Sequence, residues 1–144
     1  DLNHFKPFND HYGYRQGDNV IRWLGQLLQS VSTDSVFVGH VGGDDFILVS
    51  DESEVGGLCA EVLALFESGI AGFHKEEDWK AGYIRGTDRN GRPSTFPLLS
   101  LAIGVVPSEL IIDEDAQTLA RLAADAKKVA KKNGGNHWQV LNRY

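Results

Sequence analysis

The sequence predicts an α+β fold in one domain, residues 1–144, with a central antiparallel sheet flanked by helices. The chain has 144 residues, and roughly 100–200 residues make one domain. Its β-rich runs come in neighbouring pairs, as hairpins do. The order is helix, strand, strand, helix, hairpin, strand, helix, strand, which argues against a doubly wound parallel sheet.

The N-terminal half is predicted to hold two main helices around one hairpin. The first 18 residues are dense in Asn, Asp, Gly and aromatic side chains, and they predict a loop with a short helical piece around 8–12. Asp18 is then a candidate N-cap for a helix whose apolar face has helical spacing: Val20, Ile21, Leu24, Leu27, Leu28 and Val31. Runs 36–41 and 45–50 predict a hairpin about Gly42-Gly43. A second helix over about 54–68, capped by Gly69, buries Val55, Leu58, Cys59, Val62, Leu65 and Phe66.

The C-terminal half is predicted to hold a second hairpin, a buried strand and a long helix. A short exposed helix precedes the hairpin, whose turn contains Asn90-Gly91. The nearly continuous apolar run 98–106 predicts a strand with both faces covered. The acidic segment 113–115 begins a helix that ends near Asn133, and 137–141 is a closing strand.

Composition excludes several classes of function. With 14 basic and 20 acidic residues the net charge is −6, which argues against a general nucleic-acid binder because such proteins present a basic face. The single cysteine, Cys59, cannot form an intramolecular disulfide or a cysteine-rich zinc site. No apolar run approaches 18 residues, so we expect no membrane span and no membrane contact. No signal peptide is visible.

The hairpin tip Gly42-Gly43-Asp44-Asp45 is the first candidate site. Two glycines let the backbone approach a ligand without an intervening Cβ, and two carboxylates follow at once. A plain hairpin with solvated acids would have the same sequence. Neighbouring strand side chains point to opposite faces, so Asp44 and Asp45 need not act together.

Two further segments carry candidate ligand groups. Asp1 and Lys6 suit a site for a metal and a nucleotide, because Mg²⁺ takes hard oxygen ligands and shares them with substrate phosphates. Asp18 is equally compatible with a helix cap, and Asn9 and Asp10 with ordinary turn residues. The lysine-rich run 127–132 ends a helix, where the dipole favours cations, and a solvated face is its default interpretation.

Taken together, these features resemble the GGDEF family of diguanylate cyclases. The strings DLNHFKPFNDHYGYRQGD, VGHVGGDDFILV, SLAIGVV and LAADAKKVAKKNGGN occur in the family's order, at about its spacing, and cover nearly the whole chain. The resemblance implies a sheet wrapped by helices, similar to the palm of nucleotide cyclases and polymerases. It also implies that the first strand ends at Asp1 and is missing here, as in a truncated piece of a larger multidomain protein.

The resemblance implies condensation of two GTP molecules into cyclic di-GMP with release of pyrophosphate, in bacterial signalling. It places Mg²⁺ or Mn²⁺ on Asp1, the Leu2 carbonyl, Asp44 and Asp45. The implied catalytic residues are Asp44, Asp45 and Lys131. Guanine would be recognised by Asn9 and Asp18. The remaining implied contacts to GTP are Lys6 on the phosphates, the backbone of His4 and Phe5, and the Gly42-Gly43 turn.

Several positions depart from the family pattern. Asp45 stands where Glu is usual, so its carboxylate reaches one methylene less far. Gly135 stands where Arg is usual, and a lost charged hydrogen-bond donor costs roughly 1.5–3 kcal/mol. Asn3, His40 and Tyr14 replace the usual Asp, Arg and His. These departures leave open an alternative: a degenerate GTP-binding module that regulates an attached domain.

The implied partners are a second copy of the domain, forming a transient homodimer, and a covalently attached sensor or EAL-type phosphodiesterase domain. Segment 79–97 is longer than is common in the family and resembles the subset that accompanies EAL modules. It is equally well explained as a solvated hairpin. The GTP substrate implies a cytoplasmic location. This location is also compatible with a membrane anchor elsewhere in the parent protein.

Overall fold

The computed structural model describes residues 1–142 and contains five α-helices and seven β-strands. The helices are α1 (Phe5–Tyr12), α2 (Tyr14–Ser30), α3 (Val55–Gly69), α4 (Glu76–Ala81) and α5 (Ala116–Lys132). The strands are β1 (Leu2–Asn3), β2 (Phe37–Gly42), β3 (Asp45–Val49), β4 (Tyr83–Thr87), β5 (Pro93–Pro97), β6 (Ser100–Val105) and β7 (His137–Val140). The predicted α+β class is confirmed.

The sheet is mixed, not wholly antiparallel. Strand β6 lies between β1, with which it is antiparallel, and β7, with which it is parallel. Helix α5 makes the connection from β6 to β7, and a helical crossover is what a parallel pair requires. The two hairpins, β2–β3 and β4–β5, form separate two-stranded sheets. Strand β1 is confined to Leu2–Asn3 and has no strand partner on its other edge within residues 1–142.

One hydrophobic core joins the helices to the sheet. The buried face of α2 is the predicted one, with Ile21 only half-buried. Trp23 lies off that face and packs between Phe66 and Phe73, at ring-centroid distances of 5.4 and 5.0 Å. Burying these side chains stabilises the fold by about 1.5–3 kcal/mol each. The largest fully buried side chains are Phe8, Phe66, Leu2, Leu24, Ile70, Ile84, Val20 and Val62.

Four local predictions are wrong. The first 18 residues are not mainly a loop, because α1 and the start of α2 occupy most of them. Asp18 is not an N-cap, because α2 already begins at Tyr14 and continues through position 18. Leu65 of α3 is 37% exposed, since the helix turns it away from the core. Gly69 keeps a φ of −121° and leads into a 3₁₀ turn, Ile70–Phe73, so it is not a left-handed cap. By contrast Asp115 does cap α5, accepting a 2.7 Å hydrogen bond from the Thr118 N–H.

One described helical stretch, Glu52–Phe73, is long and apolar enough to cross a membrane. Its 22 residues include an 18-residue window of mean hydropathy 1.4, of which 28% is buried. Its Val62, Phe66 and Ile70 belong to the hydrophobic core. The expectation of no membrane contact stays a prediction.

A polar and aromatic cluster attaches α4 to α1. The Tyr12 hydroxyl donates to Asp78 and accepts a 3.0 Å hydrogen bond from the Lys75 N–H. Burial, together with the bond to Asp78, raises the pKa of Tyr12 to about 12. His11 lies 3.2 Å from the same carboxylate. These contacts hold the first helix in place from its C-terminal end.

His74 is buried beneath this cluster as a neutral ring. Its Nδ1 lies 3.1 Å from the Ile70 carbonyl oxygen, to which it donates, and its Nε2 accepts a 3.3 Å hydrogen bond from the Leu99 N–H. Burial lowers the pKa of His74, although the Ile70 bond and Asp78 oppose the shift.

The burial of His74 as a neutral ring leads us to expect that the folded state is less stable at acidic pH. Because its folded pKa lies below the ordinary value of 6.5, the unfolded chain binds the proton more readily, and stability is lost as pH falls through 6.5. We expect the free energy of unfolding from urea titrations to decline between pH 7.5 and 5.5. His74→Gln should show a flatter decline, since Gln does not titrate. Equal slopes for the two proteins would contradict the assignment.

Candidate functional site

A cleft lies where β1, the start of α1, the β2–β3 hairpin tip and the end of α5 meet. Its volume is about 460 Å³, within the usual range for small-molecule sites of roughly 300–1,000 Å³. Acidic, basic and amide side chains line it together. The lining residues are Asp1, Leu2, His4, Phe5, Lys6, Pro7, Asn9, Tyr14, Asp44 and Lys131.

The cleft contains most of the predicted site residues and omits four of them. Asp18, Gly42, Gly43 and Asp45 do not line it. Pro7 and Tyr14 line it as well, and neither is among the site residues predicted from the sequence. The Tyr14 side chain is 74% exposed. In the sequence, the one signal for Tyr14 as a site residue is an aromatic residue directly after Gly13, within the segment that holds the other candidates.

The turn from β1 into α1 forms one wall of the cleft. His4 has a left-handed backbone, φ 65° and ψ 29°, which is uncommon for a residue other than glycine. This conformation reverses the chain so that Phe5 and Lys6 follow Leu2 along the same cleft. Burial and the nearby Lys131 ammonium both lower the pKa of His4, so its ring is neutral near pH 7.

The hairpin tip is shaped by Gly43 and held to β1 by Asp44. Gly43 has a φ of 53°, which a side chain would disfavour. The His40 ring donates from Nε2 to the Gly43 carbonyl oxygen at 2.8 Å and stacks on Phe46. Asp44 Oδ2 accepts a 3.2 Å hydrogen bond from the Leu2 N–H. Asp44 of the hairpin tip therefore contacts Leu2 of β1 directly, so these two predicted site residues are neighbours.

Two lysines of α5 contact the acidic groups of the site. Lys131 Nζ lies 3.2 Å from Asp1 Oδ2 and donates to the Leu2 carbonyl oxygen at 3.3 Å. Lys127 Nζ lies 2.6 Å from Asp45 Oδ1 and 3.7 Å from Asp1 Oδ2. The sequence predicts a solvated face for Lys127, whereas its i, i+4 spacing to Lys131 is the signal that places both lysines on one face of the helix.

Asn9 lines the cleft and carries an unpaired polar atom. Its Oδ1 is buried and accepts no hydrogen bond from the residues described. A buried acceptor without a partner costs about 1–3 kcal/mol. The side chain packs on Gly17, where an added Cβ would lie 1.8 Å from Asn9 Oδ1, so a larger residue at position 17 would displace the Asn9 amide. An amide held tightly with unused hydrogen-bonding capacity is suited to a ligand.

Two of the unusual residues have a structural explanation. Asn3 is buried, and its Nδ2 donates to Ser100 Oγ at 2.8 Å and to the Gly135 carbonyl oxygen at 3.1 Å. An ionised Asp could accept a hydrogen bond from the Ser100 hydroxyl but could not bond the Gly135 carbonyl oxygen, because it has no donor. Gly135 has a φ of 63°, which favours glycine at this turn.

The oxygens of the site have the chemistry of a hard-cation site. Asp1, Asp44 and the Leu2 carbonyl share the cleft, and carboxylate and carbonyl oxygens suit Mg²⁺. Within residues 1–142, however, no three acidic, histidine or cysteine side chains are already gathered as a metal-binding group. Asp45 is paired with Lys127 and Asp1 with Lys131. A bound cation would have to displace these ammonium groups.

Comparisons with known proteins match the chain to one family. Residues 1–76 match the family model described as "Diguanylate cyclase, GGDEF domain". A diguanylate cyclase of Vibrio cholerae is 44% identical over 55 residues, which are 38% of this chain and 17% of that protein. The chain therefore spans less than a fifth of that relative.

Solved structures show the same fold. The active GGEEF domain of a Vibrio cholerae diguanylate cyclase superposes with a TM-score of 0.65 at 25% identity, covering 100% of this chain and 80% of that one. An EAL/GGDEF domain protein of M. capsulatus gives a TM-score of 0.64 at 24% identity, covering 99% and 81%.

Proposed function

Because the chain belongs to the GGDEF family of diguanylate cyclase domains, we propose that it binds GTP with a divalent metal in the cleft and condenses two GTP molecules into cyclic di-GMP. The observation that carries the proposal is the cleft itself. It brings Asp1, Asp44, Lys131 and Asn9, which lie far apart in sequence, around one volume large enough for a nucleotide.

We assign guanine recognition to Asn9 and Asp18. The unused Asn9 Oδ1 matches a guanine N–H donor, and two carboxylate oxygens match the N1–H and N2–H pair. Asp18 does not line the cleft but follows Gly17, against which Asn9 packs.

We assign the phosphates to Lys6 and Lys131. Lys6 is exposed, and among the described residues its one ion pair is with Asp10, at 2.9 Å. Such exposed pairs are weak, so its ammonium is available to a ligand. The backbone of His4 and Phe5 and the Gly42-Gly43 turn would lie against the nucleotide. Asp18, Gly42 and Gly43 do not line the cleft. They would therefore contact the nucleotide only where the nucleotide extends beyond the cleft.

The metal would be held by Asp1, Asp44 and the Leu2 carbonyl, with Asp45 joining them if Lys127 releases it. GGDEF cyclases use a divalent metal, and we propose Mg²⁺ or Mn²⁺ because the donors are hard oxygens. When bound, such an ion offsets the charge of the α-phosphate and favours the ionised ribose 3′-hydroxyl.

The reaction requires two domains. Each 3′-hydroxyl attacks the α-phosphate of the other GTP, so two phosphodiester bonds form and two pyrophosphates leave. One cleft per domain holds one GTP, which makes a transient homodimer the catalytic form. By analogy with the EAL/GGDEF protein above, we propose an attached EAL-type or sensor domain, and a cytoplasmic location because GTP is the substrate.

A second candidate function is GTP binding without turnover, which would regulate an attached domain. Two observations favour it: Asp45 is engaged by Lys127 at 2.6 Å, and Gly135 offers no side chain to a phosphate. Both candidates bind GTP and metal, so a binding measurement does not separate them.

Turnover separates the two functions. The natural full-length protein, at high concentration with GTP and Mg²⁺ or Mn²⁺, should form cyclic di-GMP and pyrophosphate in a 1:2 ratio. Bound GTP without product would favour the regulatory module. Absence of GTP binding would overturn both.

Asp18→Ala should relax the preference for guanine. A paired set of hydrogen bonds to a base edge gives about 1–3 kcal/mol of discrimination, so we expect selection of GTP over ATP to fall roughly tenfold to hundredfold. Competition between the two nucleotides measures this. Gln26→Ala, an exposed change further along α2, is the control. Unchanged selectivity in Asp18→Ala would refute the assignment of guanine recognition to this residue.

A further inference from the structure

Lys127 reaches the site because α5 lies unusually close to β6. An ideal Cβ on Gly104 would stand 2.3 Å from the Ala126 carbonyl carbon and 2.5 Å from the Lys127 nitrogen. The helix backbone thus rests on the strand at this point, and Ala126 and Ala130 are fully buried. The side chain of Lys127 is carried from there toward the hairpin tip.

The two lysines contact three of the four groups assigned to the metal. Lys131 donates to Leu2 and pairs with Asp1, and Lys127 pairs with Asp45 and, at 3.7 Å, with Asp1. Asp44 alone is held otherwise, by the Leu2 N–H. An ammonium and a divalent cation repel each other, so both cannot occupy the same carboxylate oxygens.

The ion pair between Lys127 and Asp45 is weak enough to be exchanged for other partners. The Lys127 side chain is 34% exposed and that of Asp45 is 39% exposed, and ion pairs open to water are weak. A cation that takes Asp1 and Asp45 leaves the Lys127 ammonium without a partner. The triphosphate of a nucleotide bound beside the same carboxylates gives the Lys127 ammonium a new partner.

We propose that Lys127 is a positioning residue that couples metal binding to nucleotide binding. Its ammonium holds Asp45 and Asp1 until a divalent cation displaces it, and the displaced ammonium then pairs with the triphosphate. This rests on the proposed GTP and metal site. The cation alone binds weakly, the cation and nucleotide together bind tightly, and each raises the affinity of the other by the same factor.

The test is a Mn²⁺ titration of the natural full-length protein, followed by electron paramagnetic resonance, with and without a non-hydrolysable GTP analogue. Lys127→Met removes the competing charge at similar length. We expect it to bind Mn²⁺ alone at least about fivefold more tightly than wild type, the lower end of common coupling factors. The enhancement by the analogue should shrink by the same factor.

Two variants serve as controls. Lys128→Met removes an exposed neighbouring lysine and should match wild type. Lys127→Arg keeps the charge and should bind Mn²⁺ nearly as weakly as wild type, and circular dichroism checks that each variant is folded. If Lys127→Met shows the Mn²⁺ affinity of Lys128→Met while wild type binds Mn²⁺ and analogue together, the role of Lys127 is overturned and the GTP site stands. If wild type binds neither, the proposed function falls with it.

Discussion

Replacing Asp44 by Asn should reduce cyclic di-GMP formation by a factor on the order of a hundred, the loss typical when one electrostatic group of an active site is removed. Asp44 shares the cleft with Asp1 and Leu2 and supplies a full negative charge to the proposed metal. The amide of Asn lacks that charge. The effect should therefore be on turnover, and on Mn²⁺ binding in the same proportion.

The substitution separates charge from structure. Asp44 Oδ2 accepts a hydrogen bond from the Leu2 N–H, and an Asn side-chain oxygen can accept it equally, so the hairpin tip stays attached to β1. We expect an unfolding midpoint close to that of wild type. Asp34→Asn, an exposed carboxylate before the other end of the hairpin, is the matched control and should keep full activity. A wild-type rate in Asp44→Asn would remove Asp44 from the metal site.

The features that could be predicted from the sequence are those set by local pattern. The apolar face of α2 follows from its 3.6-residue spacing, and the β2–β3 hairpin follows from two glycines between β-rich runs. Asp115 caps α5 because an acid stands directly before an uninterrupted helical sequence. Asp18 shows the limit of this reasoning, because a helix can begin earlier than its first good capping residue.

Pairings between distant segments could not be predicted in this way. The parallel pairing of β7 with β6 depends on where α5 returns the chain, and strand propensity carries no information about it. Lys127 is the same kind of case. Its four-residue spacing to Lys131 put both on one helix face, but only the packing of α5 on β6 determines that this face looks toward Asp45 and not toward solvent.

Gly104 controls that packing, and Gly104→Ala should lower the free energy of unfolding by about 3 kcal/mol or more, at the upper end of the usual cost of overpacking. The added methyl group would stand 2.3–2.6 Å from the carbon and oxygen of the Ala126 carbonyl and from the Lys127 nitrogen. These are backbone atoms, so no side chain can rotate to make room, and α5 must move off β6.

Gly57→Ala is the matched control with the opposite expected sign. Gly57 is exposed in α3, and an added Cβ would have no atom within 4 Å. Because alanine is favoured over glycine in helices by about 1 kcal/mol, this change should leave stability unchanged or raise it. Urea unfolding of both variants measures the difference. Equal stabilities would show that β6 and α5 are not in the close contact described, and Lys127 would then have no fixed route to Asp45.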